Sequence, residues 1–196
     1  MRTIPLIVAS VALLAFPSPL AAHEGGAAAG LLSGLLHPVS GLDHVLAMLA
    51  VGIWGAQMGP PAIWVLPVTF PMVMAFGGML SLLGVPVPGV EIGIGLSALL
   101  LGFMVAIERR PAIEVAAVLV GFFAIFHGYA HGAELPEGQS GILYSIGFVV
   151  STGTLHASGI GVGLIHRWDR GKRALRIAGA GIAAGGAWFT WLAVSS

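Results

Sequence analysis

Apolar residues fill this chain in long, nearly uninterrupted blocks over 41–58, 63–84, 90–107, 113–130, 141–165 and 175–194. Each block is long enough to cross the hydrocarbon of a bilayer as a helix, which takes about 20 residues. The segments between them carry the punctuation of tight turns: Gly59-Pro60-Pro61, Pro86-Val87-Pro88-Gly89, Arg109-Arg110-Pro111, Leu135-Pro136-Glu137-Gly138 and Asp169-Arg170-Gly171. The pattern predicts an all-α membrane protein, one domain of six transmembrane helices.

A shorter apolar run precedes these blocks, from Ile4 to Phe16, with Arg2 before it and Pro17, Pro19 and Leu20-Ala21-Ala22 after it. That order is the grammar of a secretory signal peptide. The expectation is a signal peptide over 1–22, cleaved after Ala22, and a mature domain over 23–196 that begins His23-Glu24 on the outer face. The competing reading, an uncleaved first span, needs more apolar length than the run supplies.

Charge placement gives the same orientation independently. Six spans that start outside put two connectors in the cytoplasm, and these with the adjoining helix ends hold Arg109, Arg110, Arg167, Arg170, Lys172, Arg173 and Arg176. The outward loop between them holds Glu134 and Glu137 and no Lys or Arg. Positive charge therefore collects on the inner side, as in bacterial inner-membrane proteins with a periplasmic N-terminus.

Composition agrees and narrows the chemistry. The 196 residues are 57% hydrophobic and 8% charged, with a mean hydropathy of +0.98. Soluble domains carry about 25% charged residues, so a soluble globule is excluded. Eight basic residues balance eight acidic ones, which leaves no basic footprint for nucleic acid. Cysteine is absent, so a metal here is held by nitrogen, oxygen or thioether sulfur. Close helix packing is expected where Gly159 and Gly163, and Gly181 and Gly185, recur four apart. Pro67 and Pro71 each free a backbone carbonyl in the second block.

Ionisable groups inside such blocks cost about 2.5–3.5 kcal/mol each at mid-membrane and so need a partner or a function. They are concentrated in two groups. The first is His37-Pro38-Val39-Ser40-Gly41-Leu42-Asp43-His44, where Pro38 is expected to push His37 out of helical geometry and Gly41 to let it fold back toward Asp43 and His44. A capping box, Ser40-x-x-Asp43, explains Asp43 alone and not the histidines. The second group places His127, His131 and Glu134 at i, i+4 and i+7, one face of a continuing helix. Glu91 opens the third block at the same outer level.

The topology therefore predicts that His37, Asp43, His44, Glu91, His127, His131 and Glu134 surround one outward-facing metal site. Imidazole and carboxylate without thiolate suit nickel, cobalt, zinc or manganese. His156, deeper in the fifth block beside Ser151, Thr152, Thr154 and Ser158, is expected to bond to those hydroxyls, with a role as an inner relay as the alternative. His166 is expected at the surface, and the methionines as packing.

These residues resemble the HupE/UreJ permeases. His37-Pro38-x-x-Gly41-x-Asp43-His44-x-x-Ala47-Met48, then Val51-Gly52, is similar to the family's first signature. Phe126-His127-Gly128-x-Ala130-His131-Gly132-x-Glu134-Leu135-Pro136 is similar to its second. The resemblance covers essentially the whole chain. It implies inward transport of nickel, with cobalt second, across the bacterial inner membrane for hydrogenase or urease maturation, with the metal as substrate rather than cofactor. It also implies roles for Phe70 and Glu91.

The leading expectation is a secondary permease rather than an enzyme, since no phosphate-binding loop offers ATP coupling. Coupling to protons displaced from histidine and passive facilitation are both open. The alternative is an intramembrane metal-dependent hydrolase with a histidine–carboxylate zinc site and Ser40 or Asp43 as catalytic partner. A further expectation gives the free amine and imidazole of His23 a metal-collecting role.

Overall fold

Residues 27–134 and 138–196 are described by a computed structural model. The signal sequence expected over 1–22 and the role weighed for His23 lie outside the described residues. The described chain forms seven α-helices: α1 (Ala27–Ser40), α2 (Leu42–Met58), α3 (Ala62–Leu82), α4 (Val90–Ala106), α5 (Ile113–Ala133), α6 (Gly141–Gly163) and α7 (Asp169–Ser195). A 3-10 turn, Leu164–Arg167, joins the last two. Among the described residues there is no β-strand.

Four helical segments are long and apolar enough to cross a membrane: α3, α5, α6 with its 3-10 extension, and α7. The pair α1 and α2, bent by 80°, makes a fifth if it is one broken span. The chain is thus a multi-pass helical membrane protein. The expected six are not reached by length alone, because α2 and α4 have 17 residues each. Such a helix rises about 26 Å against roughly 30 Å of hydrocarbon.

Helix α1 is the element that the apolar blocks did not announce. His37 and Pro38 lie inside it, not in a bend, which corrects the expectation that proline expels His37 from helical geometry. Proline there removes one backbone donor near the helix end, where little helix remains to disrupt. The chain turns one step later, at Gly41, whose φ of −95° and ψ of 114° are extended. Gly41 is also the N-cap of α2, with no side-chain cap, so the Ser40–Asp43 capping box does not form. Ser40 instead donates its hydroxyl to the His37 carbonyl at 2.7 Å.

Helix α2 is central, packed against α3, α4, α6 and α7. It is apolar all round and buried from Ala47 to Gln57 with one exception, as a core helix should be. Its C-terminal end is tied to α4 and the segment after it: Trp54 Nε1 donates to the Arg109 carbonyl at 2.7 Å and Gln57 Nε2 to the Val105 carbonyl at 3.2 Å. Val105 belongs to the last turn of α4, where its carbonyl also accepts the Glu108 backbone N–H at 3.3 Å, and Arg109 lies in the segment that follows the helix.

Small residues set the closest helix approaches. A Cβ on Gly159 would meet Gly52 Cα at 3.1 Å, and one on Gly163 would meet Ile53 Cα at 2.9 Å, so this expected pair does seat α6 on α2. In α7 the expected pair is the wrong one. Gly181 faces open space and Gly185 touches only the Leu46 side chain, whereas Gly179 and Gly186 bear on α4. We expect Gly186→Val, which drives a side chain into the backbone of Ala98 and Leu99, to cost about 1–3 kcal/mol of stability. Gly181→Ala should leave stability unchanged or raise it by up to about 1 kcal/mol. Thermal unfolding in detergent checks the pair.

Candidate metal site

All seven residues singled out by the sequence line one cavity of about 230 Å³. It sits at the end of the bundle where the α1–α2 bend, the start of α4 and the end of α5 meet. Helix α1 contributes His37, α2 contributes Asp43 and His44, α4 contributes Glu91 from its first turn, and α5 contributes His127 and His131 with Glu134 as its C-cap. The opposite end holds a wider hollow of about 380 Å³ lined by Glu108, Asp169, Lys172, Arg173 and Arg176, with no imidazole.

Burial grades the cavity from rim to floor. Glu91 and Glu134 are exposed, His37, Asp43 and His131 half-buried, and His44 and His127 buried at 3% and 1% exposure. At the rim, one ligand atom each from His37, His131 and Glu134 lies within 4.8 Å of the other two. His37 Nε2–H donates to Glu134 Oε2 at 2.9 Å, and His131 Nδ1 stands 3.7 Å from the same oxygen. The Glu134 carboxyl is held below the usual carboxylate range, first by the neighbouring His131 imidazole, with His37 adding to the effect. Asp43 accepts the His44 backbone N–H at 2.7 Å.

Below the rim, four ring nitrogens and a hydroxyl form a chain whose proton positions can be worked out from its inner end. Ser97 Oγ donates to the Ile94 carbonyl at 2.6 Å, so it accepts from His127 Nε2–H at 2.8 Å. A neutral His127 then has a bare Nδ1, which faces His44 Nδ1 at 3.0 Å and accepts its proton. His131 Nε2 approaches the same His44 nitrogen at 3.1 Å. His44 Nε2 is left as a bare lone pair, buried and without a partner.

The network thus leaves at least one imidazole with its free lone pair in a buried place, the state a metal ligand requires. Ser97 was missed by the sequence reading although it is the only hydroxyl residue in α4. Its partner lies thirty residues away, and nothing local announces the pairing. We expect Ser97→Ala to free the His127 tautomer and weaken metal binding about 10-fold, in the range seen when an outer partner of a metal ligand is lost. Equilibrium binding of nickel to the purified protein measures this.

Aromatic rings wall the cluster. Phe148 of α6 lies 4.5 Å from the His131 ring and 5.8 Å from His44, and Phe70 of α3 lies 5.3 Å from His127. Phe148 carried no sequence signal, since it is one of several large apolar residues in its block.

His156 departs from expectation. It is 2% exposed, yet neither ring nitrogen has a hydrogen-bond partner. Two of the four hydroxyls expected to serve it point elsewhere, since Thr154 donates to the Val150 carbonyl and Ser158 to the Thr154 carbonyl, both on the exposed face of α6, and Thr152 Oγ1 makes no hydrogen bond. His166 is half-buried, with Nδ1–H donating to the Gly163 carbonyl at 2.9 Å.

Fold and cavity together define a multi-pass helical membrane protein that gathers four histidines and three carboxylates at one end. The family model described as HupE / UreJ protein matches residues 11–189, and the chain belongs to this family. It is 44% identical over 181 residues to Protein HupE of Rhizobium leguminosarum bv. viciae, covering 92% of this chain and 95% of that protein. No solved structure matches.

Proposed function

We propose that the protein is a secondary permease that imports a divalent transition-metal ion, nickel first and cobalt second, across the bacterial inner membrane for hydrogenase or urease maturation. In this reading a cleaved signal peptide leaves six spans, with α2 and α4 as the short ones and the mature N-terminus in the periplasm. The cavity then faces outward and the Arg-rich end faces the cytoplasm.

The observation that carries the proposal is the cavity itself: ligand-type side chains from four helices, with carboxylates at the mouth and imidazoles below. Carboxylates at an exposed rim attract a hydrated dication, and neutral imidazoles behind them replace part of its water shell. Family membership supports the same reading. So does the break between α1 and α2, since transporters commonly build their ion sites at interrupted helices.

The hydrolase reading finds less support. Ser40 Oγ is bonded to the His37 carbonyl and Asp43 to a backbone N–H, so neither is poised as a catalytic partner.

The test is uptake of radiolabelled nickel into proteoliposomes, comparing the wild type with His37→Ala and His44→Ala. Accumulation that requires the protein and falls to the level of empty vesicles in both variants is the expected result. Uptake that survives both substitutions overturns the proposal.

A further inference from the structure

Beyond the cavity a buried polar stripe continues. Tyr144, Phe148, Thr152 and His156 recur every fourth residue of α6 and are all buried, so they line one face that runs away from the cavity. Phe148 packs on the histidines of the cavity. At a rise of about 1.5 Å per residue, His156 lies about 12 Å farther along the helix. Helix α2 descends beside it: Gly52 sits against the His156 carbonyl, two turns past His44.

Phe70 stands between the two levels. Its ring lies 5.3 Å from His127 and 5.7 Å from His156, and it is fully buried. On the far side of that ring, His156 Nδ1, His156 Nε2 and Thr152 Oγ1 are all buried without a partner. The Tyr144 hydroxyl at the head of the stripe is likewise unpaired, whereas the exposed hydroxyls of the helix are not. Ser145, Thr154 and Ser158 each donate to the carbonyl four residues back, at 2.7–2.8 Å. An imidazole and a hydroxyl one turn apart, both unpaired and both enclosed, do no structural work that an apolar pair would not do better.

We propose that His156, with Thr152 Oγ1, forms a second, inner binding station for the transported dication, separated from the outer cavity by the Phe70 ring. The inference rests on the permease reading. An ion that leaves His44 and His127 inward passes the edge of Phe70 and meets an imidazole that offers a free lone pair in either neutral tautomer. Nitrogen and oxygen donors without thiolate or carboxylate hold a dication weakly enough to release it onward.

The experiment combines nickel binding to the purified protein, thermal unfolding and radiolabelled uptake into proteoliposomes for the wild type, His156→Phe, His156→Cys and His131→Ala. Because His156 makes no hydrogen bond, His156→Phe is expected to fold with unchanged or higher thermal stability. It should bind nickel at the outer cavity within about twofold of wild type, yet lose at least about tenfold in uptake rate. His156→Cys, which restores a metal ligand, should recover uptake above the phenylalanine variant. Should His156→Phe fail to fold, His156→Asn takes its place in the same comparison.

Uptake by His156→Phe equal to wild type overturns the inner station, as does an equal loss in the cysteine variant. Wild-type uptake that depends on His131 but not on His156 removes this inference and leaves the permease reading intact. Wild-type uptake no greater than that of empty vesicles removes both.

Discussion

His131→Ala is expected to abolish metal capture: nickel affinity should fall by more than about 100-fold, since losing even an outer partner of a metal ligand costs 10–100-fold. Its position explains the size of the effect. His131 belongs to the rim group with His37 and Glu134, whose ligand atoms lie within 4.8 Å of one another, and its Nε2 also reaches the buried His44 at 3.1 Å. No other residue in the cavity belongs to both levels. Removing it leaves His37 and Glu134 paired to each other at 2.9 Å and cuts the rim from the chain that ends at Ser97. Because the ring packs against Phe148 at 4.5 Å, His131→Gln is the companion variant that fills most of the space without an imidazole. Both should lose binding, while His166→Ala at the opposite end should stay within about twofold of wild type.

The reasons for what was and was not legible in the sequence are physical. The stripe of His127, His131 and Glu134 could be read directly because helix period is a local property and α5 continues to Ala133. The common level of His37, Asp43, His44 and Glu91 followed from alternating helix direction, which needs only the order of the apolar blocks. Helix α1 was not legible. It is 14 residues long, contains Gly30, Gly34 and Pro38, and has weak helical character by itself.

What orders α1 is contact with α6, where a Cβ on Gly30 would meet the Ser140 backbone at 3.0 Å and one on Gly34 would clash with Tyr144. That complementarity lies over a hundred residues away in sequence. The pairing of His127 with Ser97 and the isolation of His156 are of the same kind. Each depends on which face of a neighbouring helix is presented, and in blocks that are apolar on every side the sequence carries little directional information.

Acidification is expected to weaken nickel binding steeply, and the steepness should count the histidines. Protons and metal compete for the same nitrogen lone pairs, so each imidazole that must lose a proton to ligate contributes about tenfold in apparent affinity per pH unit once it is protonated in the free protein. The rim group supplies two imidazoles, His37 and His131, and one carboxylate, Glu134. That carboxyl is held below the usual carboxylate range, chiefly by the neighbouring His131 imidazole, so it stays ionised as the solution is acidified toward that range. The limiting slope of log affinity against pH on the acid side should therefore approach two in the wild type. It should drop to about one in His37→Ala, where a single rim imidazole remains. A slope that does not change with removal of His37 would mean that the proton-linked ligands are the buried His44 and His127 instead. The coordination would then lie one level deeper, with the rim serving only to draw the ion in. Isothermal titration of nickel into purified protein across the acid range separates the two arrangements.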